Sequence, residues 1–413
     1  MARKQAARKV AVEAVSAAEH AARRAAVLEA LGGAAAVVFA GDGGAPLKGK
    51  WTPDRNFLWL TGIENEPGAA VLFDPTAEDP KRRIVLLLKP VNPELDRWDG
   101  YRETIGTPLK QRTGFDAVMR TGSLPALLTG AARRAKRLAC LHPFAVYPAG
   151  VSADLAAFRQ VSERVPGVAI EDRTQLLPTL RATKSDTEIA LMQRAIDATT
   201  AGYAAALRMI KPGVTEGDIQ RAMEDAYRAA GSPDVAYNSI VGAGINGTIL
   251  HYMDNSAVVK AGDLIVIDSG AAFAGYASDV TRTFPASGKF TAKQRKIHDI
   301  VLKSLDAGIA AARAGVTNGE IDRVCRAVIE DAGYGDAFIH GAGHPLGLDV
   351  HELGPDGPLL PGMVITIEPG IYLPDEGFGV RIEDDILVVD GGNANLTSHI
   401  PRTTKEIEKA MAG

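Results

Sequence analysis

Two stretches of this chain repeat one pattern, and the repeat constrains the fold more than any other feature. Residues 205–231 (AALRMIKPGVTEGDIQRAMEDAYRAAG) and 307–333 (AGIAAARAGVTNGEIDRVCRAVIEDAG) each run from a helix through GVTxG[DE]I into a second helix that ends at glycine. Matching blocks about 100 residues apart predict a duplicated helix–helix–strand half. A domain built from two such halves has pseudo-twofold symmetry, and we expect its active site between them.

The part of the chain before this repeat has a different pattern. The runs AAAVVFAG, GAAVLFDP and RRIVLLLKP are apolar, short and bounded by glycine or proline, which predicts buried strands. A capping box, Ser185 to Glu188, then begins a long amphipathic helix that ends at Lys211-Pro212-Gly213. At roughly 150 residues per domain, 413 residues suggest two or three domains. We predict an α/β domain over residues 1–172 and an α+β domain over 173–413.

Composition excludes several classes of function. The net charge of -4 gives no reason to expect a nucleic-acid partner or an anionic membrane. The two cysteines, Cys140 and Cys325, lie far apart, which excludes a thiolate zinc site and indicates a reducing compartment. The Arg- and Ala-rich residues 1–31 contain three glutamates, which favours a solvated amphipathic helix over a transit peptide. No run reaches membrane-spanning length, and we expect a cytoplasmic protein.

Acidic residues stand at strand ends throughout the second portion. IVIDSG places Asp268 at the end of an apolar strand, GYASDVTRTF places Asp279 on the next strand, and TIEPG places Glu368 at the end of another. In GVRIEDDILVV, period-two alternation puts Arg381 and Glu383 on one face, together with Asp385. Exposed acids satisfied by lysine or water are the ordinary alternative at each position.

Four buried carboxylates in one place would repel each other and take up protons unless cations neutralised them. Two divalent cations would do so and leave room for one imidazole and a water. Oxygen-rich ligation with a single nitrogen suits manganese, cobalt or catalytic zinc. Two such ions about 4 Å apart can hold a hydroxide and polarise a carbonyl group.

A nitrogen ligand is available in HGAGHPLGLDVHE, which holds three of the eight histidines. Its glycines and its proline disfavour a helix and favour a loop that leads into an extended segment. The spacing of the histidines alone does not say what each one does.

Five motifs in order, ILHYMDN, DLIVIDSGAAFAGYASDVTRTF, HGAGHPLGLDVHE, GMVITIEPGIY and GVRIEDDILVV, resemble those of the pita-bread metallopeptidases, and most of all the aminopeptidase P and prolidase group. The resemblance covers roughly residue 173 to the end. It continues more faintly through RNFLWLTGIENEPGAAVLF and RWDGYR. It implies a creatinase-like N-terminal α/β domain followed by a pita-bread catalytic domain.

The resemblance also implies a role for particular residues. It places five metal ligands for two divalent ions, with manganese favoured over cobalt or zinc, at Asp268, Asp279, His344, Glu368 and Glu383. Asp279 and Glu383 would bridge both ions, and Glu368 would also act as general acid and base. The positions expected to hold the substrate and the tetrahedral intermediate are His251 and His351. Tyr237 would lie near the attacking hydroxide, and the pocket for the proline ring would be lined by His340, Tyr372 and Arg381.

The activity implied by the resemblance is that of aminopeptidase P, in which a hydroxide held between the ions cleaves an N-terminal residue from a following proline. Prolidase, which cleaves only Xaa-Pro dipeptides, is the alternative. A non-peptidase hydrolase or a binding module of the same fold is more remote, because all five ligand positions are intact. The expected partners are a peptide with proline second and further copies of this chain, as a dimer or tetramer. The loop after His351 is short and has no arginine, which leaves the handling of the substrate's C-terminus open.

Overall fold

The structure, a computed structural model, describes residues 14–41, 51–94, 96–100, 102–143, 150–355 and 357–412. The chain divides into two compact units between Arg181 and Ala182. The domain boundary expected after residue 172 stays a prediction. Of the expected N-terminal amphipathic helix, residues 1–13 lie outside the described residues, and the remainder forms a helix from Ala17 to Ala30.

The first unit packs helices against a mixed four-stranded sheet and a parallel two-stranded sheet. Its strands are β1 (Ala36–Phe39), β2 (Ala70–Phe73), β3 (Ile84–Leu88), β4 (Ala117–Arg120), β5 (Arg137–Cys140) and β6 (Ala169–Asp172). Its helices are α1 (Ala17–Ala30), α2 (Arg55–Thr61), α3 (Asp96–Asp99), α4 (Thr107–Thr113), α5 (Leu124–Ala135), α6 (Ala153–Ser162) and α7 (Leu176–Ala182). β1, β2 and β3 are antiparallel neighbours, whereas β4 runs parallel to β3 and β6 runs parallel to β5.

The apolar runs read from the sequence form the core of this unit. β1, β2 and β3 occupy the three predicted stretches, and almost all of their residues are buried. Side chains on one face of the sheet, such as Val37, Leu72 and Leu87, pack with Leu128 of α5 and Phe158 of α6. Continuous apolar strands of this kind are stable only when both faces of the sheet are covered.

The second unit contains two helix pairs and four small antiparallel sheets. Its helices are α8 (Asp186–Met209), α9 (Glu216–Ala229), α10 (Ala292–Ala311), α11 (Asn318–Asp331) and α12 (Thr404–Ala412). Its strands are β7 (Asp234–Val235), β8 (Ile240–Ala243), β9 (Leu264–Asp268), β10 (Ala271–Phe273), β11 (Tyr276–Ala277), β12 (Thr281–Pro285), β13 (Val364–Ile367), β14 (Gly370–Leu373), β15 (Phe378–Arg381), β16 (Asp384–Val389) and β17 (Gly392–Asn395).

The helix signals in the sequence are confirmed at both ends of α8. The Ser185 side chain accepts a hydrogen bond from the backbone of Glu188, whose side chain bonds back to Ser185. The helix ends at Met209, and only its C-cap, Ile210, separates it from the predicted stop at Lys211. α9 and α11 also begin with capping boxes. The repeat seen in the sequence therefore forms two equivalent helix pairs, α8 with α9 and α10 with α11.

Candidate active site

Two strands at equivalent places in the two halves each end in an acidic residue. β9 contains four buried apolar residues and ends at Asp268, and β13 contains four buried residues and is followed by Glu368. Their sequences, GDLIVIDSG and GMVITIEPG, align without a gap at a separation of 100 residues. The strands of the two halves therefore repeat as well as the helices, and each half delivers a carboxylate to the same region.

The partner strands bring two more carboxylates. β12 pairs antiparallel with β9, and β16 pairs antiparallel with β13. The sequence predicted Asp279 within a strand, whereas in the structure it lies two residues before β12. The short β10–β11 hairpin lies between Asp279 and β9. Glu383 directly precedes β16, and its backbone bridges to Thr281 while its Oε2 accepts a hydrogen bond from Thr281 Oγ1 at 2.7 Å. This bridge joins the two halves at the site.

These carboxylates open onto a cleft of about 580 Å³. Ten of the eleven residues predicted for the site line this cleft: Tyr237, His251, Asp268, Asp279, His340, His344, His351, Glu368, Arg381 and Glu383. Tyr372 is the one predicted residue that is not among the lining residues, and it lies behind His340 and Arg381. The sequence therefore identified most of the polar wall of the cleft.

Three of the predicted metal ligands lie close enough to hold one cation. One ligand atom from each of Asp279, His344 and Glu383 lies within 4.8 Å of the other two. The Nδ1 atom of His344 is 3.1 Å from the carbonyl oxygen of Pro345, which can only accept a hydrogen bond, so Nδ1 carries the proton. The lone pair of Nε2 is therefore free to ligate, and Nε2 lies 3.5 Å from Asp279 Oδ2 and 3.7 Å from Glu368 Oε1. A carbonyl partner on the second ring nitrogen is the usual support of a metal-binding histidine.

The electrostatics of this cluster fit divalent cations. Burial, followed by repulsion from neighbouring carboxylates, raises the pKa of Asp279 and of Glu383 well above the usual range. Burial also raises the pKa of Glu368 to about 8 and lowers the pKa of His344 to about 4. Carboxylates that resist ionisation because they are crowded and desolvated become stable anions when cations bind between them. The donor set, several carboxylate oxygens and one neutral imidazole, is the set expected for a catalytic divalent metal.

Asp268 is held by two neighbours inside the cleft. The Tyr237 hydroxyl lies within hydrogen-bond distance of both Asp268 Oδ1 and Asp279 Oδ1, and its single proton can serve only one of them at a time. Arg381 Nη2 donates to Asp268 Oδ2 at 2.8 Å. Arg381 therefore pairs with Asp268, rather than with Glu383 or Asp385 as its position in the sequence also allowed.

A chain of hydrogen bonds fixes the protonation of His340. Arg381 Nη1 donates to the Tyr372 hydroxyl at 2.9 Å, so the proton of that hydroxyl is directed to His340 Nε2, 2.8 Å away. His340 Nδ1 then donates to the carbonyl oxygen of Gly341. Burial lowers the pKa of His340 to about 4, in agreement with a neutral ring. Tyr372 thus connects Arg381 and His340, which both line the cleft.

The remaining histidines, His251 and His351, also line the cleft. The ring of His351 stands almost perpendicular to that of His344, with the ring centroids 4.2 Å apart. Both His251 and His351 are exposed, so each imidazole is accessible from the cleft. The apolar part of the wall includes Ile240, Leu250, Met253 and Val350, which the sequence did not single out.

Three buried polar arrangements behind the cleft were not foreseen. They are the ion pair Arg282–Asp384, the ion pair Lys184–Glu352 and the buried carboxylate of Glu216. A signal for Glu216 existed in the repeat, since GVTEG in the first block stands opposite GVTNG in the second. The two ion pairs join residues more than 100 positions apart, and no local pattern connects them.

The fold and this site define a metal-dependent hydrolase that uses divalent cations. Comparison with protein-family models gives a match to metallopeptidase family M24 over residues 190–390 and to the N-terminal domain of aminopeptidase P over residues 20–139. The chain belongs to metallopeptidase family M24. Its two halves are those of the pita-bread fold, preceded by the N-terminal domain that accompanies this fold in aminopeptidase P.

Relatives of known name support the same grouping. The chain is 34% identical to the Xaa-Pro aminopeptidase of Haemophilus influenzae over 397 residues, which cover 87% of this chain and 88% of that protein. It is 40% identical to the Xaa-Pro aminopeptidase of Escherichia coli over 263 residues, which cover 56% of this chain and 60% of that protein. A Xaa-Pro dipeptidase of Pyrococcus furiosus is 37% identical over 227 residues, which cover 54% of this chain and 65% of that protein.

Solved structures match over nearly the whole chain. Escherichia coli aminopeptidase P with the inhibitor Pro-Leu superposes with a TM-score of 0.84 at 30% identity, covering 97% of this chain and 99% of that one. The zinc-substituted form of the same protein, in complex with product, gives a TM-score of 0.85 at 29% identity with the same coverage. Among the described residues, no helix combines the length and the apolar character that crossing a membrane requires.

Proposed function

We propose that this chain is an aminopeptidase P, which removes the N-terminal residue of a peptide when proline follows. The observation that carries the proposal is the cleft in which Asp279, His344 and Glu383 converge next to His340 and Arg381. The named relatives that match most of the chain support it. Prolidase is the second candidate, because a Xaa-Pro dipeptidase is among the relatives of the catalytic portion.

The proposed metal ligands are Asp268, Asp279, His344, Glu368 and Glu383, with manganese as the favoured ion and cobalt or zinc as alternatives. When bound, the cations would supply Lewis-acid chemistry, polarising the scissile carbonyl and lowering the pKa of water. The crowding of carboxylates around His344 supports this assignment. Asp279 and Glu383 would hold the ions together with His344, to which their ligand atoms lie close.

The chain's own residues would orient the substrate and move the proton. His251 and His351 hold the peptide, and His351 stabilises the oxyanion that develops on the scissile carbonyl. Glu368 passes a proton to the departing proline nitrogen, which has no hydrogen of its own in the peptide. His340 and Arg381, connected by Tyr372, form the wall against which the proline ring packs, and Tyr237 orients Asp268 and Asp279.

The oligomeric state and the location of the protein are also proposals. We propose a dimer or tetramer formed through the N-terminal domain, which light scattering would test, since a monomeric mass would contradict it. A cytoplasmic location is supported by Cys140 and Cys325, which are both buried and both unpaired.

The length of the substrate separates the two candidate functions. Metal-stripped enzyme with manganese restored is given Ala-Pro and Ala-Pro-Ala in parallel, and release of alanine is measured. We expect cleavage of the tripeptide. Cleavage of the dipeptide alone would establish prolidase instead, and because the loop after His351 has no arginine, another group would then have to bind the substrate's carboxylate.

A further inference from the structure

The repeated blocks of the two halves make the same backbone hydrogen bonds. In the first half the N–H of Gly213 donates to the carbonyl of Val259, and the N–H of Val259 donates to the carbonyl of Val214, both at 2.9 Å. In the second half, residues 315–316 make the same two bonds with Leu359. Positions in the two blocks can therefore be compared one by one.

One such pair of positions differs in chemistry and in surroundings. Thr215 and Thr317 are the N-caps of α9 and α11, and both close a capping box. The next residue is Glu216 in the first half and Asn318 in the second. Asn318 is exposed, whereas Glu216 has no exposed surface at all.

The buried carboxylate of Glu216 accepts hydrogen bonds from four neutral donors. Oε1 accepts from the backbone N–H of Ala243 at 2.7 Å and from Asn246 Nδ2 at 3.0 Å. Oε2 accepts from the Tyr252 hydroxyl at 3.0 Å and from the backbone N–H of Ala257 at 2.9 Å. Its place at the first turn of α9 also favours a negative charge. A buried carboxylate is stable only when its oxygens are satisfied in this way.

All four donors belong to one segment, residues 243–257, which carries part of the cleft wall. Leu250, His251 and Met253 line the cleft, and all three lie between the contacts that Glu216 makes. Asn255 gives the same segment a second internal support. Its side chain accepts a hydrogen bond from the backbone N–H of Val241 and donates one to the carbonyl oxygen of Ser239. Its φ of 45° is in the left-handed region. The shape of the segment is therefore fixed from behind, on the side away from the cleft.

The second half holds its histidine by another route. His351 lies eight residues before Leu359, whose backbone pairs with the GVT segment of the second half. In the same way, His251 lies eight residues before Val259, which pairs with the GVT segment of the first half. The residue after His351 is Glu352, which pairs with Lys184 at 2.8 Å while both side chains are almost fully buried. Since the buried ion pair of Glu352 with Lys184 holds the segment next to His351, the second half needs no buried carboxylate at the position of Asn318.

We infer that Glu216 is a positioning residue, which sets the place of His251 in the cleft by holding the segment 243–257. The inference rests on the proposed function, in which His251 holds the peptide substrate. Glu216 does not itself touch the cleft, since it is not among the lining residues. A residue that only stabilises the fold would affect catalysis regardless of whether His251 is present, and that difference makes the inference testable.

The decisive experiment is a double-mutant cycle between Glu216→Gln and His251→Ala. Glutamine keeps the size of the side chain but turns an N–H₂ group toward two of the four donors, so the segment must shift. We expect Glu216→Gln to lower kcat/KM for Ala-Pro-Ala at least tenfold in the wild-type background and less than threefold in the His251→Ala background. Equal losses in the two backgrounds, or no loss in the wild type, would overturn the inference.

Asn318→Ala is the matched control, because it changes the equivalent helix position in the other half. It should leave kcat/KM within twofold of the wild type. If Glu216→Gln does not fold, Tyr252→Phe removes one of the four hydrogen bonds, the one next to His251, and should give a smaller loss that again disappears without His251. A loss that persists in the His251→Ala background would count against positioning.

A second readout does not depend on activity. In protein labelled with ¹³C at the histidine ring, the His251 signal is identified by its loss in His251→Ala. It should shift or broaden in Glu216→Gln and stay in place in Asn318→Ala. If the wild type cleaves no Xaa-Pro peptide, the proposed function fails while this signal still tests the positioning of His251, and an unmoved His251 signal in Glu216→Gln would overturn the inference.

Discussion

Arg282 and Asp384 form an ion pair 2.7 Å long in which neither side chain has any exposed surface. Arg282 also donates to the carbonyl oxygen of Glu383, a proposed metal ligand, and to the carbonyl of Ile400 near the C-terminus. One buried guanidinium thus connects β12, the start of β16 and the C-terminal segment. This connection holds Glu383 in place from behind the cleft.

Replacement of Arg282 by methionine should destabilise the protein by about 3 kcal/mol or more, because it leaves the buried Asp384 carboxylate without its principal cation. Equilibrium unfolding in urea measures the change. The exposed pair Arg221–Asp218 provides the control, since Arg221→Met should change the free energy of unfolding by no more than about 1 kcal/mol. Equal effects of the two substitutions would contradict the role given to Arg282.

Replacement of Asp279 by asparagine should remove metal binding of high affinity and lower kcat at least a hundredfold. The substitution keeps the shape of the side chain and removes one of the charges around which the proposed site is built. Metal content after dialysis against manganese, measured by mass spectrometry, checks the prediction. Asp331→Asn, at an exposed position on α11, should retain the wild-type metal content.

The stability of the protein should fall in mild acid because of His298. Burial, with the nearby charges of Arg282 and Arg295, lowers the pKa of His298 to about 3, and neither ring nitrogen has a hydrogen-bond partner among the described residues. The unfolded chain takes up this proton below about pH 6.5, whereas the folded protein does not, so the stabilising contribution is present above that pH and lost as the pH falls.

The loss due to His298 between pH 7 and pH 5 should be about 2 kcal/mol. His298→Leu should remove that part of the pH dependence. Unfolding curves of the two proteins at several pH values provide the measurement, and identical slopes of stability against pH would show that His298 does not carry the effect.

The N-terminal unit depends on a buried arginine. Arg24 donates to the carbonyl oxygens of Leu60, Thr113 and Gly114, and its guanidinium lies 3.8 Å from the centre of the Phe115 ring. A lysine cannot form this fork, so Arg24→Lys should destabilise the unit by about 2 kcal/mol. Thermal unfolding tests the prediction with the exposed Arg133→Lys as control, and equal melting temperatures of the two variants would contradict it.

Much of the fold could be predicted because its signals are local. The buried strands β1 to β3, the capping box at Ser185 and the paired helices around the GVT motif each follow from residues close together in sequence. The extension of the repeat to the strands was also visible, in GDLIVIDSG and GMVITIEPG. The placement of Asp279 outside a strand was not, because the β10–β11 hairpin before it is too short to leave a clear pattern.

The residues that line the site were predicted from sequence motifs, whereas the pairing of the buried charged residues behind them was not. Arg381 had several acidic neighbours in sequence, and only the packing of β15 against β9 selects Asp268 as its partner. The ion pairs Arg282–Asp384 and Lys184–Glu352 join residues whose proximity depends on the complete fold. Buried polar residues of this kind carry no periodicity by which a sequence would reveal them.

The most direct test of the proposed activity compares Ala-Pro-Ala with Ala-Ala-Ala, each given to metal-stripped enzyme and to enzyme reconstituted with manganese. We expect release of alanine from Ala-Pro-Ala alone, and only after metal is restored. Cleavage of Ala-Ala-Ala at a similar rate would contradict the proline specificity. Cleavage of Ala-Pro-Ala by fully metal-free enzyme would contradict the metal-dependent site.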